Sequence, residues 1–279
     1  MQFVLFADDT NFFCSGQDLK SVAESITNEM VKLKQWFNKN KLSLNLKKTK
    51  FMIFSKLKRD EIILSIDGVN IERVHDFRFL GVILDEKFSW KNHVAHIKAK
   101  VAKSIFILNK VKYELDTNVL RMLYCTLVLP YFIYCLEVWG NSYKSNMTPL
   151  IMLQKKAVRI IHKEDFRAHT NRLFGLSGLL KFLDLVELRT LLVVLRAKNR
   201  SLPIQLQTLF EFSSENEDHR RRYDFKHLFA RTTLKQMCTS VTGIKVWNSQ
   251  NQELKSCTTV FQFKKIFKKE KMLNYELEG

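Results

Sequence analysis

The sequence contains few residues that interrupt helices, with 3 prolines and 8 glycines among 279 residues. This scarcity excludes a collagen-like or low-complexity chain and predicts long elements, most of them helices. The five cysteines are odd in number and include no C-x-x-C pair. Neither a disulfide framework nor a zinc knuckle follows from them, so we expect thiols in a reducing compartment, the cytoplasm or the nucleus.

The chain also lacks a long apolar run. The uncharged stretch 122–136 is shorter than the ~20 residues that a membrane span needs, and it contains Pro130. We expect a buried pair of helices broken at this proline. The apolar start before Asp8 is too short for a signal peptide. The sequence therefore predicts a protein that is neither secreted nor transmembrane.

Acidic residues are scarce relative to basic ones: 28 Asp and Glu stand against 46 Lys and Arg, a formal net charge of +18. Such an excess favours a polyanionic partner, since neutralising phosphates releases counterions and gives affinity that does not depend on sequence. A merely soluble basic protein and a protein of anionic membrane surfaces are the alternatives. Hydrophobic residues make up 46% of the chain, with 22 Phe, which argues against disorder.

The first part of the chain alternates strand and helix signals. QFVLF and NFFC flank Asp8 and Asp9 and predict a β-hairpin. A helix is expected next, because apolar residues recur every three or four positions after Asp18, a candidate N-cap. Its apolar positions are Leu19, Val22, Ile26, Met30, Leu33 and Phe37. KLSLNLKKTKFMIF then alternates Leu42, Leu44 and Leu46 and ends in FMIF, which predicts a strand. A hairpin turning at Asp67-Gly68 and a strand in FRFLGVILDE complete a predicted α+β piece.

From Trp90 onward the periodicity is helical. One face of the first helix carries Val94, Ile97, Val101, Ile105, Leu108 and Val111. An adjacent arc of about 100° is basic and carries His93, His96, Lys100, Lys103 and Lys110. A basic stripe beside an apolar stripe that packs in the core is typical of a helix that contacts a phosphate backbone. A lysine face that contacts only solvent explains the pattern equally well.

Further helices are expected at about 116–135, 146–162 and 179–199. The acidic SSENED runs directly into HRRR at 213–222, which predicts a surface linker. The segment 223–279 predicts short helices that end in the basic amphipathic stretch VFQFKKIFKKEK.

Asp8 and Asp9 are the residues that suggest chemistry. Neighbouring side chains on a strand point to opposite faces, so only a tight turn can present two adjacent carboxylates near one point. Their mutual repulsion becomes useful when Mg²⁺ binds between them, because Mg²⁺ prefers oxygen ligands and often bridges carboxylates and substrate phosphates. A pair of such ions can activate an attacking hydroxyl in phosphoryl transfer. A plain polar turn is the alternative, and on the dipeptide alone it is the better one.

The surrounding motifs change that balance. FADDTNFF, then W-x-x-x-NKL-x-LN-x-x-KTK-x-x-x-F at 36–54, then FRFLGVILDEKFSWKNHV closely resemble the later part of a reverse transcriptase domain. The likeness is to non-LTR, LINE-type, jockey-like retrotransposons. PYFIYCLEVWG, LQKKAVRII and IKVWN resemble segments that often follow this domain, so the resemblance extends over nearly the whole chain.

The resemblance implies roles for individual residues. Asp8 matches the principal metal ligand and Asp9 its partner, binding Mg²⁺, for which Mn²⁺ could substitute in the intact polymerase. Lys48 matches a basic position near the departing pyrophosphate, with Lys50 as the alternative and a solvated lysine favoured over either role. Phe79, Leu80 and Gly81 match the element that grips the primer end. Trp36 is expected to pack in the core. Implied partners are an RNA template with a DNA primer, their duplex, and a dNTP.

The resemblance also implies an α+β fold: an incomplete reverse transcriptase palm (1–88), then a mostly α-helical thumb with following helices (89–200) and a basic C-terminal helical extension (201–279). The fingers and an earlier metal-binding aspartate of the family have no counterpart in these residues. We therefore expect that this chain is related to RNA-directed DNA polymerases but has no polymerase activity on its own. A non-catalytic nucleic-acid-binding module and an unselected pseudogene product are the alternatives.

Overall fold

The computed structural model describes residues 2–6, 9–55, 62–66, 68–213 and 223–277. The chain divides into two compact units, residues 1–87 and residues 88–279. The first unit contains short strands and one long helix, and the second is helical over nearly all of its ordered elements. The expectation of a mixed α and β protein dominated by helices is confirmed at this coarse level.

The first unit opens with an antiparallel hairpin of β1 (Gln2–Phe6) and β2 (Asp9–Phe13). Its register pairs Phe6 with Asp9 and Gln2 with Phe13, and the rings of Phe3 and Phe12 meet edge to face with centroids 5.2 Å apart. The predicted hairpin is confirmed. Aromatic and β-branched residues favour such paired strands.

Helix α1 (Leu19–Lys39) follows the hairpin. The Asp18 carboxylate accepts a hydrogen bond from the Ser21 backbone N–H at 2.8 Å, which confirms Asp18 as the N-cap. Met30 is the buried residue of this helix and packs with Leu64, Ile66 and Ile71 in the core of the first unit. The expectation that Trp36 packs in the core is wrong, since 55% of its surface is exposed.

The remaining strands of the first unit are short. They are β3 (Lys50–Phe51), β4 (Ser65–Ile66), β5 (Val69–Asn70), β6 (Glu72–Arg73), β7 (Asp76–Phe79) and β8 (Val82–Asp85). β3 pairs with β6 in parallel, while β4–β5 and β7–β8 are antiparallel. The predicted hairpin around Gly68 is therefore confirmed, although Asp67 lies outside the described residues.

Two of the predicted strands are wrong in detail. FRFLGVILDE forms two strands instead of one, because Leu80 and Gly81 take φ values of 44° and 86° and turn the chain between β7 and β8. In KLSLNLKKTKFMIF only residues 50 and 51 are extended in a strand. The side chain and backbone oxygens of Asn45 accept hydrogen bonds from the Lys48 N–H, which holds 45–48 in a turn.

The second unit consists of helices joined by short loops. They are α2 (Lys91–Val111), α3 (Thr117–Leu127), α4 (Leu129–Ile133), α5 (Leu136–Trp139), α6 (Lys144–Ile161), α7 (Asn171–Ser177), α8 (Phe182–Lys198), α9 (Ile204–Gln207), α10 (Thr233–Met237), α11 (Thr239–Asn248), α12 (Gln252–Ser256) and α13 (Val260–Leu277). The predicted helices near 116–135, 146–162 and 179–199 are all present. Most of the predicted linker, residues 214–222, lies outside the described residues.

Pro130 separates α3 from α4, as expected from its missing N–H, and both helices carry fully buried residues such as Tyr124 and Phe132. Helix α8 is central to the second unit and packs against α5, α11 and α13. Its buried residues join Phe225, Trp247, Phe263 and Phe267 in one apolar core. Within the described part of the chain, none of the helices is both long and apolar enough to cross a bilayer.

Candidate catalytic hairpin and nucleic-acid interface

Asp9, the second residue of the acidic doublet, belongs to the β1–β2 hairpin. Asp9 is the first residue of β2, is exposed, and pairs with Phe6 in the strand register. Two residues, Ala7 and Asp8, separate these partners in the sequence, and both lie outside the described residues. The strand pairing thus puts Asp9 at the start of the second strand of the hairpin, and the position of Asp8 in the turn stays a prediction.

A complete metal site is not formed by the described residues: no group of three His, Cys, Asp or Glu side chains among them is spaced to hold an ion. Asp76 and Asp85 lie opposite each other across β7 and β8. Asp85 is buried and accepts a hydrogen bond from the Lys87 N–H at 3.1 Å. Carboxylate oxygens such as those of Asp9 are ligands that Mg²⁺ prefers, and the described residues do not complete a ligand set around it.

The two candidate lysines near the second motif differ in their surroundings. The Lys48 side chain is exposed, and its backbone N–H belongs to the turn made with Asn45. The Lys50 ammonium instead pairs with Glu72, its register partner on β6. Lys50 therefore stabilises the β3–β6 pair, and Lys48 is the more accessible of the two for a charge on a substrate.

The residues predicted to grip the primer end form the tip of the β7–β8 hairpin. Phe79 pairs with Val82, and Leu80 and Gly81 occupy the two turn positions with positive φ. Gly accepts this conformation without steric cost, whereas Leu80 at φ 44° is an uncommon left-handed residue. The three residues thus form a narrow, strained turn in which the backbone at Gly81 can approach another molecule closely.

Helix α2 presents the predicted apolar face to the core. Val94, Ile97, Val101, Ile105 and Leu108 are buried. The placement of His93 on an exposed basic stripe is wrong, because this residue is only 1% exposed and its ring contacts Trp139 edge to face, with centroids 5.2 Å apart. Burial, with a smaller contribution from the nearby His96, lowers the pKa of His93 from 6.5 to about 4. His93 is therefore a neutral core residue near pH 7.

The rest of the stripe faces outward. Lys100, Lys103 and Lys110 are exposed and His96 is half-buried. Two exposed aromatic residues that the periodicity did not single out are Phe106 on α2 and Tyr113, two residues after the helix ends. Phe106 is 61% exposed with the Lys110 ammonium 5.4 Å from its ring centroid, and Tyr113 is 75% exposed with the Lys112 ammonium 4.7 Å from its centroid.

A helical projection could have found Phe106, which falls outside the apolar arc of α2, whereas Tyr113 follows the end of this helix at Val111. Their exposure was the missing information, because an aromatic residue at helical spacing usually indicates core. The alanines at 95, 99 and 102 are exposed along the same line of the helix. We call this surface the outer face of α2. Its first half carries the small exposed alanines, its second half carries Phe106, and Lys100, Lys103 and Lys110 lie beside it.

Comparison with known proteins gives the first unit a family match. Residues 1–84 match the sequence model of the family described as "Reverse transcriptase (RNA-dependent DNA polymerase)". The matched segment contains the β1–β2 hairpin, α1, the strands β3 to β7 and all but the last residue of β8. No solved structure matches significantly.

Curated relatives point to the same family. The chain is 24% identical over 161 residues to "RNA-directed DNA polymerase from mobile element jockey" of Drosophila funebris, a match that covers 56% of this chain and 17% of that protein. It is 24% identical over 160 residues to "Probable RNA-directed DNA polymerase from transposon X-element" of Drosophila melanogaster, covering 56% of this chain and 18% of that protein. It is 27% identical over 152 residues to "Retrovirus-related Pol polyprotein from type-1 retrotransposable element R1 2" of Nasonia vitripennis, covering 50% of this chain and 36% of that protein.

The chain thus spans less than a fifth of the first two relatives and about a third of the Nasonia protein. The sequence motifs suggested a likeness over nearly the whole chain, and these matches cover 50–56% of it. The family match over residues 1–84 and the names of these relatives lead to one conclusion. Residues 1–84 match the reverse transcriptase family, and the chain is similar to part of the RNA-directed DNA polymerases of jockey-like mobile elements.

Proposed function

We propose that this chain is part of an RNA-directed DNA polymerase that joins a dNTP to the 3′-hydroxyl of a DNA primer on an RNA template. The observation that carries the proposal is the reverse transcriptase match over residues 1–84, which includes the hairpin with Asp9 at the start of β2. The partial palm comprises residues 1–88, and the thumb and following helices lie at 89–200. The basic extension comprises 201–279.

In this proposal Asp8 and Asp9 hold Mg²⁺, or Mn²⁺ in its place. A bound divalent ion would lower the pKa of the attacking hydroxyl and neutralise charge on the phosphates. Lys48 is the proposed cation beside the departing pyrophosphate, because Lys50 is engaged with Glu72. Phe79, Leu80 and Gly81 would position the primer end through the narrow β7–β8 turn.

The template–primer duplex is proposed to lie along the outer face of α2. His96, Lys100, Lys103 and Lys110 border this face and would contact phosphates, while Phe106 and Tyr113 offer apolar surface to sugars or bases. Protein–nucleic acid contacts of this kind need no metal. A module that only binds nucleic acid is therefore the second candidate function, favoured by the exposed Lys100, Lys103 and Lys110 of α2.

We further propose that the 279 residues do not extend a primer by themselves, because the relatives named as polymerases are several times longer than their matched segments. The proposed place of action is the cytoplasm or the nucleus.

A chimeric polymerase tests the catalytic proposal. In it, residues 1–84 replace the matching segment of the Drosophila funebris jockey relative, and primer extension on an RNA template is measured with Mg²⁺. We expect extension to fall by at least about a hundredfold in Asp8→Ala and Asp9→Ala, because each removes a proposed metal ligand. Glu24→Ala, an exposed acidic residue of α1, is the control that should retain activity.

A chimera whose activity is unaffected by both aspartate variants would remove these residues from the metal site. In parallel, the unmodified 279-residue chain is assayed for primer extension, where no incorporation is expected. Mg²⁺-dependent incorporation that disappears in Asp8→Ala would show that the chain is a polymerase on its own.

A further inference from the structure

The C-terminal helix α13 is held against the rest of the second unit by its inner face. Phe263, Phe267 and Tyr275 on that face are buried in the apolar core or against α7 and α8. The Tyr275 hydroxyl donates a hydrogen bond to Asp184 and accepts one from the Lys181 N–H at 3.0 Å. These contacts determine which side of α13 faces away from the protein.

The inward-facing lysine of this helix is paired with carboxylates. The Lys271 ammonium lies 3.1 Å from a carboxylate oxygen of Asp184 and 2.6 Å from one of Glu187, both on α8. These ion pairs of Lys271 therefore link α13 to α8 inside the fold.

The outward-facing lysines are different. Lys264, Lys265, Lys268 and Lys269 are all exposed and lie within about 140° of arc around the helix. None of the four forms an ion pair within the part of the chain that the structure describes, unlike Lys271. Near the middle of the arc lies Phe261, which is 77% exposed. The result is a basic surface with one aromatic ring, which we call the α13 outer face.

A groove runs along one side of the α13 outer face. It has a volume of about 470 Å³ and is bordered by Lys265 and Lys269, with the apolar side chains of Ile266 and Leu273 in its wall. Its other lining residues are Glu253, Gln262 and Glu270. Asn251 donates a hydrogen bond to Glu270, so this carboxylate is already engaged. The groove thus combines two cations and apolar side chains with the carboxylates of Glu253 and Glu270, so a phosphate would bind at the rim formed by Lys265 and Lys269.

We propose that the α13 outer face binds single-stranded nucleic acid. The four lysines would contact the sugar–phosphate backbone, Phe261 would stack on a base, and the groove beside Lys265 and Lys269 would take an adjoining nucleotide. Basic grooves with exposed aromatic rings are how proteins hold single strands without sequence preference, since every base has a face on which to stack. This second contact surface is separate from the outer face of α2. The proposal rests on the proposed function only because it takes nucleic acid as the partner.

The charge and shape of α13 favour this partner over an anionic membrane. An interfacial helix inserts its own apolar face into the lipid, whereas the apolar face of α13 is buried in the protein. A duplex is also disfavoured, because its bases are already stacked on each other and cannot use Phe261.

The test measures binding of the full chain to a labelled single-stranded oligouridylate by fluorescence anisotropy, over a range of salt concentrations. The principal variant is Lys265→Glu with Lys269→Glu. We expect its affinity to fall about tenfold or more near physiological salt, and the slope of log K against log salt to shrink by about 0.7 for each phosphate that the variant no longer neutralises. Phe261→Ala should weaken binding by about five- to tenfold, because it removes the stacking ring, while leaving the salt slope unchanged.

The matched control is Lys235→Glu with Lys245→Glu, which changes the net charge equally at exposed lysines of α10 and α11. It should retain most of the affinity, because those lysines lie outside the α13 outer face. Thermal unfolding of each variant checks its fold. If the variant Lys265→Glu with Lys269→Glu does not fold, the neutral variant Lys265→Gln with Lys269→Gln is measured in its place. The proposal is overturned if the α13 variants bind the oligouridylate like the control variant, or if vesicles containing phosphatidylserine compete better than the single strand.

The same variants are measured on an RNA–DNA hybrid to separate this proposal from the proposed function. Loss of oligouridylate binding with retained hybrid binding supports the α13 outer face as a single-strand site. Retained oligouridylate binding together with hybrid binding that depends on Lys100 and Lys103 overturns the α13 proposal and leaves the proposed function of α2 in place.

Discussion

The imidazole of His93 packs edge to face against the indole of Trp139, with ring centroids 5.2 Å apart. His93 lies on α2 and Trp139 on α5, and both are fully buried or nearly so. This contact removes His93 from the surface that the basic stripe of α2 offers to a partner. Because burial lowers the pKa of His93, we expect the stability of the second unit to depend on pH.

We expect the free energy of unfolding to fall as pH is lowered from about 6.5 to about 4. The pKa of His93 is about 4 in the folded chain and 6.5 in its unperturbed state, so the unfolded state binds more protons in this interval. One such group contributes a slope of up to about 1.4 kcal/mol per pH unit, and its contribution is fully present above about pH 6.5. Burial lowers the pKa of His162 as well, which acts in the same direction.

Urea unfolding at a series of pH values checks this prediction. His93→Leu should flatten the pH dependence, whereas His169→Gln, at an exposed position, should leave it as in the parent. An equally steep pH dependence in His93→Leu would show that His93 is not the group responsible.

A buried ion pair supports the C-terminal part of the second unit. Lys255 is 3% exposed, and its ammonium donates hydrogen bonds to Asp224 at 2.8 Å and to the backbone oxygen of Asn248 at 2.7 Å. Asp224→Ala leaves the lysine charge buried without its carboxylate and should lower the free energy of unfolding by about 3 kcal/mol.

The matched comparison is Glu211→Ala, which breaks an exposed pair with Lys226 whose closest N–O distance is 3.7 Å. That change should cost less than about 0.5 kcal/mol, because water screens the pair. Chemical denaturation of both variants measures the difference. Equal losses of stability would mean that the Lys255 pair gains nothing from its burial.

Gly140 allows a close approach at the end of α5. A Cβ atom at this position would lie 2.6 Å from the backbone oxygen of Leu136 and 3.0 Å from a methyl group of Val186. Gly140→Ala should therefore destabilise the second unit by about 2 kcal/mol, since backbone and buried side chains would have to move.

Gly175 in α7 is the matched control, because a Cβ there would meet only the Glu276 side chain at 4.0 Å. Gly175→Ala should stabilise the protein by about 0.5–1 kcal/mol through helix propensity. Thermal melts of the two variants should shift in opposite directions, and shifts in the same direction would contradict the packing described for Gly140.

The outer face of α2 predicts a salt-dependent interaction with an RNA–DNA hybrid. Lys100→Glu with Lys103→Glu should weaken hybrid binding by about tenfold and reduce the salt slope by about 0.9 for each phosphate left without its lysine. The measurement is anisotropy of a labelled hybrid, with Lys235→Glu and Lys245→Glu as the charge-matched control. Unchanged affinity and slope would exclude α2 from the interface.

Several features followed from local sequence alone. The β1–β2 hairpin, the Asp18 cap of α1 and the break at Pro130 were predicted because each depends on residues within a few positions of one another. Strand propensity, a capping carboxylate and the missing N–H of proline act locally, so no distant contact was needed to interpret them.

The sequence failed where the outcome depended on backbone conformation that a residue does not prefer. The turn at Leu80 was missed because leucine rarely takes positive φ, and nothing in FRFLGVILDE except Gly81 signals a reversal. The strand expected in KLSLNLKKTKFMIF gives way to a turn at Asn45, whose side chain competes for backbone hydrogen bonds.

The amino-acid sequence by itself determined the β1–β2 hairpin, the apolar face of α2 and the motifs that relate residues 1–84 to reverse transcriptases, because periodicity and short motifs depend on neighbouring positions. Only the tertiary structure decided which polar residues remain available to a partner. His93 packs against Trp139, and Lys50 forms an ion pair with Glu72. Lys271 forms ion pairs with Asp184 and Glu187. The four outer lysines of α13 form no ion pair within the described residues. The physical reason is that burial and ion pairing depend on residues far apart in the chain, brought close by packing that no local pattern encodes.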